Sequence, residues 1–241
     1  MKILKIEIAD STNNWVAQHE SELPSPSLVY CHQQTAGRGQ RGNSWESEPG
    51  KNITASLIFH PEEFPAYLQF SISEAIALAI VDFLNDYGVK AQIKWPNDIY
   101  VGEKKICGIL VEHVVSGQNI ARSIAGFGIN INQTCFISDA PNPVSLSLLT
   151  GQQYNLEELT ENLAAHLEKN LTLLHNAEDC HSRFTSNLWR KDGNYHQFYD
   201  HTKKQHIKAF IHDVANNGML TLITKENEAR KYAFKEVEFI L

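Results

Sequence analysis

Residues 94–132 leave few options for the fold. Apolar runs lie on both sides of Gly102-Glu103, which reads as a hairpin turn. Ser116-Gly117-Gln118-Asn119 is a second tight turn, and residues 120–131 return as another apolar strand. Strands joined by turns this short must lie antiparallel. The returning strands carry Gly108, Gly126 and Gly128. Glycine inside a strand weakens it and marks close approach of a ligand or another segment. These strands are therefore expected to form a pocket floor.

The way into the hairpin carries chemistry. In Lys94-Trp95-Pro96-Asn97-Asp98, Pro96 bends the chain and presents Asn97 and Asp98 at the bend. Lys105 starts the return strand seven residues after Asp98. A hairpin brings the two to one site. An acid and a lysine so placed can hold a metal-bound phosphate and a reacting carboxylate. Taken alone, a turn aspartate and an edge lysine account for them equally well.

A second segment changes that balance. Gly37-Arg38-Gly39-Gln40-Arg41-Gly42-Asn43-Ser44-Trp45 has three glycines and two arginines, and no acid before Glu46. It offers free N–H groups and forked cations without a competing carboxylate, the donor set that binds phosphate or carboxylate oxygens. Trp45 adds a flat face for an aromatic base. The segment is not a Walker A loop, and no apolar helix follows to make it a dinucleotide fingerprint.

Residues 3–8 and 28–32 read as strands. Residues 52–60 read as a third, with Ile53, Ala55, Leu57 and Phe59 on one face. Asp10-Ser11-Thr12-Asn13 precedes a short helix, either as plain caps or as ligand-binding hydroxyls and N–H groups. Residues 71–87 form the clearest helix, with Ser71 and Glu74 as a capping box and Gly88 as its stop. Pro141-Asn142-Pro143 opens a loop. Asn155 and Glu158 cap a leucine-striped helix, and residues 182–189 form a shorter one. After Lys191-Asp192-Gly193-Asn194 the period becomes two. Short strands there, including 220–223, 232–234 and 237–241, suggest a small barrel. His196, His201, His206 and His212 lack metal-ligand spacing and read as solvated.

The net charge of −7, with no basic run, argues against nonspecific nucleic-acid binding, so the arginines and lysines serve small anions. No window approaches a membrane span and no signal peptide is evident, so a cytoplasmic protein is expected. Cys31, Cys107, Cys135 and Cys180 are scattered and read as reduced core thiols.

Together, Asp10-Ser11-Thr12-Asn13, the Gly37–Trp45 segment, Lys94-Trp95-Pro96-Asn97-Asp98, Lys105 with Gly108-Ile109-Leu110-Val111-Glu112, and Gly126 with Gly128-Ile129-Asn130 resemble the biotin protein ligases in order and spacing. The resemblance implies an α+β fold. Residues 1–190 would form a class II synthetase-like catalytic domain, a largely antiparallel mixed sheet with helices packed on it. Residues 191–241 would form an SH3-like β-barrel. It implies that biotin and Mg-ATP give biotinyl-5′-AMP, which acylates one lysine of a biotin carboxyl carrier protein. It also implies the short form of the enzyme, without a DNA-binding domain.

Carried over by position, Ser11, Thr12, Asn13 and Gln34 would bind the biotin end. Arg38, Gly39, Gln40 and Arg41 would line the carboxyl and phosphate loop. Lys105 would stabilise the acyl phosphate, and Gly108 would belong to the binding site. Trp45 would cover the adenine, with Asn97 and Asn130 near the nucleotide. Asp98 would orient Mg²⁺ or the incoming amine. Gln40 and Asn43 stand where some relatives carry arginine, so weaker adenylate retention is expected. Two chains could pair through an exposed sheet edge in the three-strand region. The competing readings are a lipoate or octanoate ligase and a noncatalytic binding module.

Overall fold

The structure, a computed structural model, describes residues 1–137 and 142–241, and of Arg41 only the backbone. Pro141 of the expected loop lies outside these residues. The strands of the larger sheet are β1 (Lys2–Ala9), β2 (Ser27–Gln34), β3 (Ile53–Phe59), β4 (Gln92–Lys94), β5 (Asp98–Val101), β6 (Lys104–Ser116) and β7 (Asn119–Ile129). Their order is β1-β2-β3-β7-β6-β5-β4, with β1 and β2 parallel and every other pair antiparallel. The three-strand region thus lies inside the sheet, paired to β3 and β4. Its edge is not exposed as expected; the sheet edges are β1 and β4.

Helix α1 (Thr12–Gln18) covers one face of this sheet and helix α2 (Gln69–Asp86) the other. Strand β3 shows why both faces are apolar. Ile53, Ala55, Leu57 and Phe59 join the main core with α2, while Ile58 joins a second cluster with Val16, Val29 and Ile124. Successive strand residues point to opposite faces, so Thr54, Ser56 and Ile58 share the α1 face. Helices α3 (Leu146–Thr150), α4 (Leu156–Leu171) and α5 (Ala177–Ser186) follow, and α4 and α5 pack on α2. Asn155 caps α4 as expected, its side chain accepting from the Glu157 N–H.

Helix α2 starts at Gln69, two residues before the expected capping box. Ser71 and Glu74 are buried in its interior, and Glu74 Oε1 lies 2.7 Å from His181 Nδ1 of α5. The expected helix at 182–189 begins earlier, where the Asn176 side chain accepts from the Asp179 N–H. Together with the turn before it, α2 gives one stretch, Ala66–Asp86, long and apolar enough to cross a membrane. This corrects the expectation that none exists, although 67% of that window is buried within the fold. Of the four free cysteines three are buried as expected; Cys135 is exposed.

The second sheet is antiparallel: β8 (His196–Asp200), β9 (Gln205–Val214), β10 (Leu220–Thr224), β11 (Ala229–Tyr232) and β12 (Val237–Phe239), in the order β11-β10-β9-β8-β12. The expected strand at 232–234 ends at Tyr232 instead of beginning there.

Candidate active site

Register decides which side chains share the α1 face of the larger sheet. Ser56 pairs with Gly126 and Gly126 with Leu110; Thr54 pairs with Gly128 and Gly128 with Gly108. Directly opposed residues share a face. Two ranks therefore cross three strands, and glycines leave the middle of both open. The expected pocket floor is there. A cavity of about 690 Å³ lies over it, lined by Ser11, Thr12, Asn13, Gln34, Arg38, Gly39, Trp45, Asn97, Asp98, Lys105, Gly108 and Asn130 among others. Gln40 lines a neighbouring cavity of about 450 Å³ instead, and Asp98 and Lys105 line both. The side chain of Arg41 lies outside the described residues.

Lys105 reaches this face because of a bulge. Asp98 pairs with Gly108 and Ile99 with Cys107, but Tyr100 pairs with Lys105, so Ile106 has no opposite number. Without the slip, Lys105 would point away from the face that Gly108 occupies, three residues on. With it, Lys105 Nζ stands 2.7 Å from Asp98 Oδ1, both side chains mostly buried. The Lys105 backbone is pinned as well, its N–H donating to Asn142 O and its carbonyl accepting from the Val144 N–H, each at 2.9 Å. Nearby, burial pushes the Lys94 ammonium below its usual range, against a smaller opposing pull from Asp98. Asn97 Nδ2 donates to Ile109 O, which fixes the bend that carries Asp98.

At the opposite end, Ser11 starts α1 without a side-chain capping bond. The N–H groups expected to be free here are partly taken: Ser11 N–H donates to Asp10 Oδ1 and Thr12 N–H to Gln34 Oε1. Ser56 Oγ lies 2.7 Å from Thr12 Oγ1 and 2.6 Å from Asn13 Oδ1. Arg38 Nη2 donates to Glu112 Oε1 at 2.6 Å and Nη1 to Asn14 Oδ1 at 2.6 Å. Asn130 Nδ2 donates to Val144 O, and its buried Oδ1 has no partner among the described residues.

Trp45 occupies the open floor. A Cβ on Gly128 would fall 2.2 Å from its indole, and one on Gly108 would fall 3.0 Å from it. Lys105 Nζ lies 5.6 Å from the ring centroid, and the buried indole N–H has no acceptor among the described residues. The strand glycines thus admit a side chain of the protein itself. Sequence reasoning named neither Ser56 nor Glu112 as site residues. Ser56 had no local signal, and Glu112 stood inside a quoted motif without a role.

The model of the Biotin/lipoate A/B protein ligase family matches residues 6–130. The chain belongs to that family. The bifunctional ligase/repressor BirA of Escherichia coli is 35% identical over 127 residues, covering 52% of this chain and 39% of that protein. The biotin–[acetyl-CoA-carboxylase] ligase of Paracoccus denitrificans is 32% identical over 162 residues, covering 64% of this chain and 67% of that protein. The chain spans less than half the length of the ligase/repressor relatives. A biotin protein ligase from Aquifex aeolicus, solved with biotin and ATP, superposes with a TM-score of 0.76 at 20% identity, covering 99% of this chain and 98% of that one. This likeness shows that the whole described fold, both sheets included, is the one that the solved family members have. The matched family segment contains α1, residues 37–45, the Asp98–Lys105 hairpin and the glycine floor.

Proposed function

We propose that this chain is an ATP-dependent ligase that activates biotin as biotinyl-5′-AMP and passes the acyl group to a lysine of a biotin carboxyl carrier protein. The observation that carries this reading is the single cavity in which Lys105, Asp98, Arg38 and the Ser11–Asn13 hydroxyl and amide groups converge. Ser11, Thr12, Asn13 and Gln34 form a polar end suited to a ureido ring. Arg38 and the backbone of residues 37–43 serve the carboxyl and phosphate.

In the first step a biotin carboxylate oxygen attacks the α-phosphorus of ATP, and the bond to the β-phosphate bridge breaks, releasing pyrophosphate. Two anions must meet, which demands fixed positive charge in a site that excludes water. Lys105 supplies it, held in place by Asp98. In the second step the neutral acceptor amine attacks the acyl carbon, the acyl C–O bond to AMP breaks, AMP leaves with that electron pair and the amine's surplus proton passes to solvent; Asp98 would orient the amine. Trp45 would stack on the adenine after leaving the glycine floor with its loop.

Among the described residues no three His, Cys, Asp or Glu side chains are grouped as a metal cage. Asp98 is a single carboxylate facing the cavity beside an ammonium, which suits a cation that arrives already bound to phosphate. Mg²⁺ carried in this way would share Asp98 and neutralise phosphate charge. We place the catalytic unit at residues 1–190 and a smaller unit at 191–241. Four free cysteines support a reducing, cytoplasmic setting.

Exchange of labelled pyrophosphate into ATP tests the proposal. Exchange that requires biotin is expected. Exchange that requires lipoate or octanoate would move the chain to the other branch of its family, and no exchange with any acid would leave a binding module.

A further inference from the structure

The reaction proposed above gives a task to the polar groups lining the cavity, yet Glu112 lies just outside that lining and touches two of them. We infer that Glu112 is a positioning residue of this site, whose acceptor-only carboxylate sets the hydrogen-bond direction through Asn13, Ser56 and Thr12 and holds Arg38 by one edge. The inference rests on the biotin-ligase reading.

The direction follows from proton counting. An ionised carboxylate has no proton to give. Glu112 Oε2 lies 2.7 Å from Asn13 Nδ2, so the Asn13 amide must turn its nitrogen toward Glu112 and its oxygen toward Ser56. Asn13 Oδ1 can only accept, so the Ser56 hydroxyl gives its one proton to it across 2.6 Å. Ser56 Oγ must then accept from Thr12 Oγ1, 2.7 Å away. The Thr12 hydroxyl is thereby drawn from Gln34 Oε1, its longer contact at 3.1 Å, which keeps the Thr12 N–H at 2.8 Å. Asn13 has nowhere else to sit. Its Oδ1 occupies the space of a missing side chain, since a Cβ on Gly126 would lie 2.2 Å from it.

The same carboxylate orients Arg38. Of the five guanidinium N–H groups, two point to Glu112 and one to Asn14. Among the described residues, the N–H groups left are Nε–H and one on Nη2, adjacent along the other edge. Two parallel N–H groups of this kind grip a carboxylate or phosphate bidentately. Glu112 therefore links the end that reads the ring of the acid to the loop that reads its carboxyl and phosphate. The ligand class that uses both is a ring-bearing carboxylic acid whose ring has distinct donor and acceptor edges.

The test uses the full chain and the variants Glu112→Gln and Glu112→Asp. In Glu112→Gln the amide can turn either way, so the hydroxyl chain loses its direction and Arg38 its ionic hold. Biotin dissociation constants, measured by titration without nucleotide, should rise about tenfold or more, the scale of a lost charged hydrogen bond. KM for biotin should rise with them while KM for ATP stays within about twofold. Glu112→Asp keeps an acceptor-only group and should recover part of the loss. Adenylate release should quicken in Glu112→Gln, and adding Arg38→Ala should quicken it little further, because both remove one coupled unit. A Glu112→Gln protein that melts as the parent does and binds biotin with parental affinity overturns the inference. So does a folded Glu112→Asp protein that binds biotin no better than Glu112→Gln or, where the glutamine variant fails to fold, one that loses more than about tenfold in biotin affinity. A parent chain without biotin-dependent exchange would instead defeat the biotin reading, an outcome visible before any variant is made.

Discussion

Removing the Lys105 ammonium would leave Asp98 alone at the wall between two cavities. Charge that develops on the acyl phosphate would then have no fixed partner there. Lys105→Ala is expected to lower adenylate formation about 10²- to 10³-fold, the range found when one preorganised donor is lost. The fold should persist, because the Lys105 backbone keeps its bonds to Asn142 and Val144. Biotin-dependent pyrophosphate exchange beside a circular dichroism spectrum checks both parts. An exchange rate equal to the parent's would make Lys105 an ordinary edge lysine. Arg38→Ala acts later: adenylate already formed should escape about tenfold faster, read by chasing labelled adenylate with unlabelled. Both residues were legible in the chain, since glycines frame Arg38 and a short turn brings Lys105 back to Asp98. Glu112 was not, because a charged residue within a strand looks the same whether it meets water or a guanidinium.

At the scale of elements, the glycine floor and the bulge carry the site. Alternation at 53–59 and the turns at Gly102 and Gly117 exposed β3 and the β5–β6–β7 meander to sequence reading. The slip at Ile106 left no trace, because its residue is an ordinary buried isoleucine and only pairing across strands reveals it. The misplaced start of α2 has a similar cause. Ser71 and Glu74 have the spacing of a capping box, but their burial and the His181 partner come from a helix over a hundred residues later. Gly128 offers a direct test of the floor. Gly128→Ala would set a methyl group 2.2 Å from the indole, so Trp45 must leave its seat. Tryptophan emission should shift to the red, with Trp45→Phe identifying its share among the four tryptophans. Biotin affinity should fall as well, since the methyl fills the space the indole vacates. Unchanged emission would mean that the indole does not rest on Gly128 in solution.

At the scale of the whole molecule, one apolar core runs through both sheets. The Trp189 ring lies between Tyr100 of β5 and Phe239 of β12, and Trp95 Nε1 donates to Gly218 O at 2.9 Å. The smaller sheet therefore helps to hold the Lys94–Asp98 bend, and a fault within it should be felt as lost global stability. Asp200 is where such a fault can be made. It is fully buried at the end of β8; Oδ1 accepts from Thr202 and the Lys203 N–H, and Oδ2 from Tyr232. Burial alone would raise this carboxyl, but those hydrogen bonds outweigh it and hold the group at about 2, below the ordinary 3.8. A carboxyl depressed on folding stabilises the folded state fully above its unfolded value and loses that contribution as pH falls toward its folded one. The shift corresponds to about 2 kcal/mol at neutral pH. Asp200→Asn should therefore lower the melting temperature at pH 7 by about 5 °C. The difference from the parent should shrink between pH 4 and pH 2, where the parent's Asp200 takes up its proton. Paired thermal melts across that range measure it. A gap that stays constant down to pH 2 would show that the Asp200 charge contributes nothing to folding.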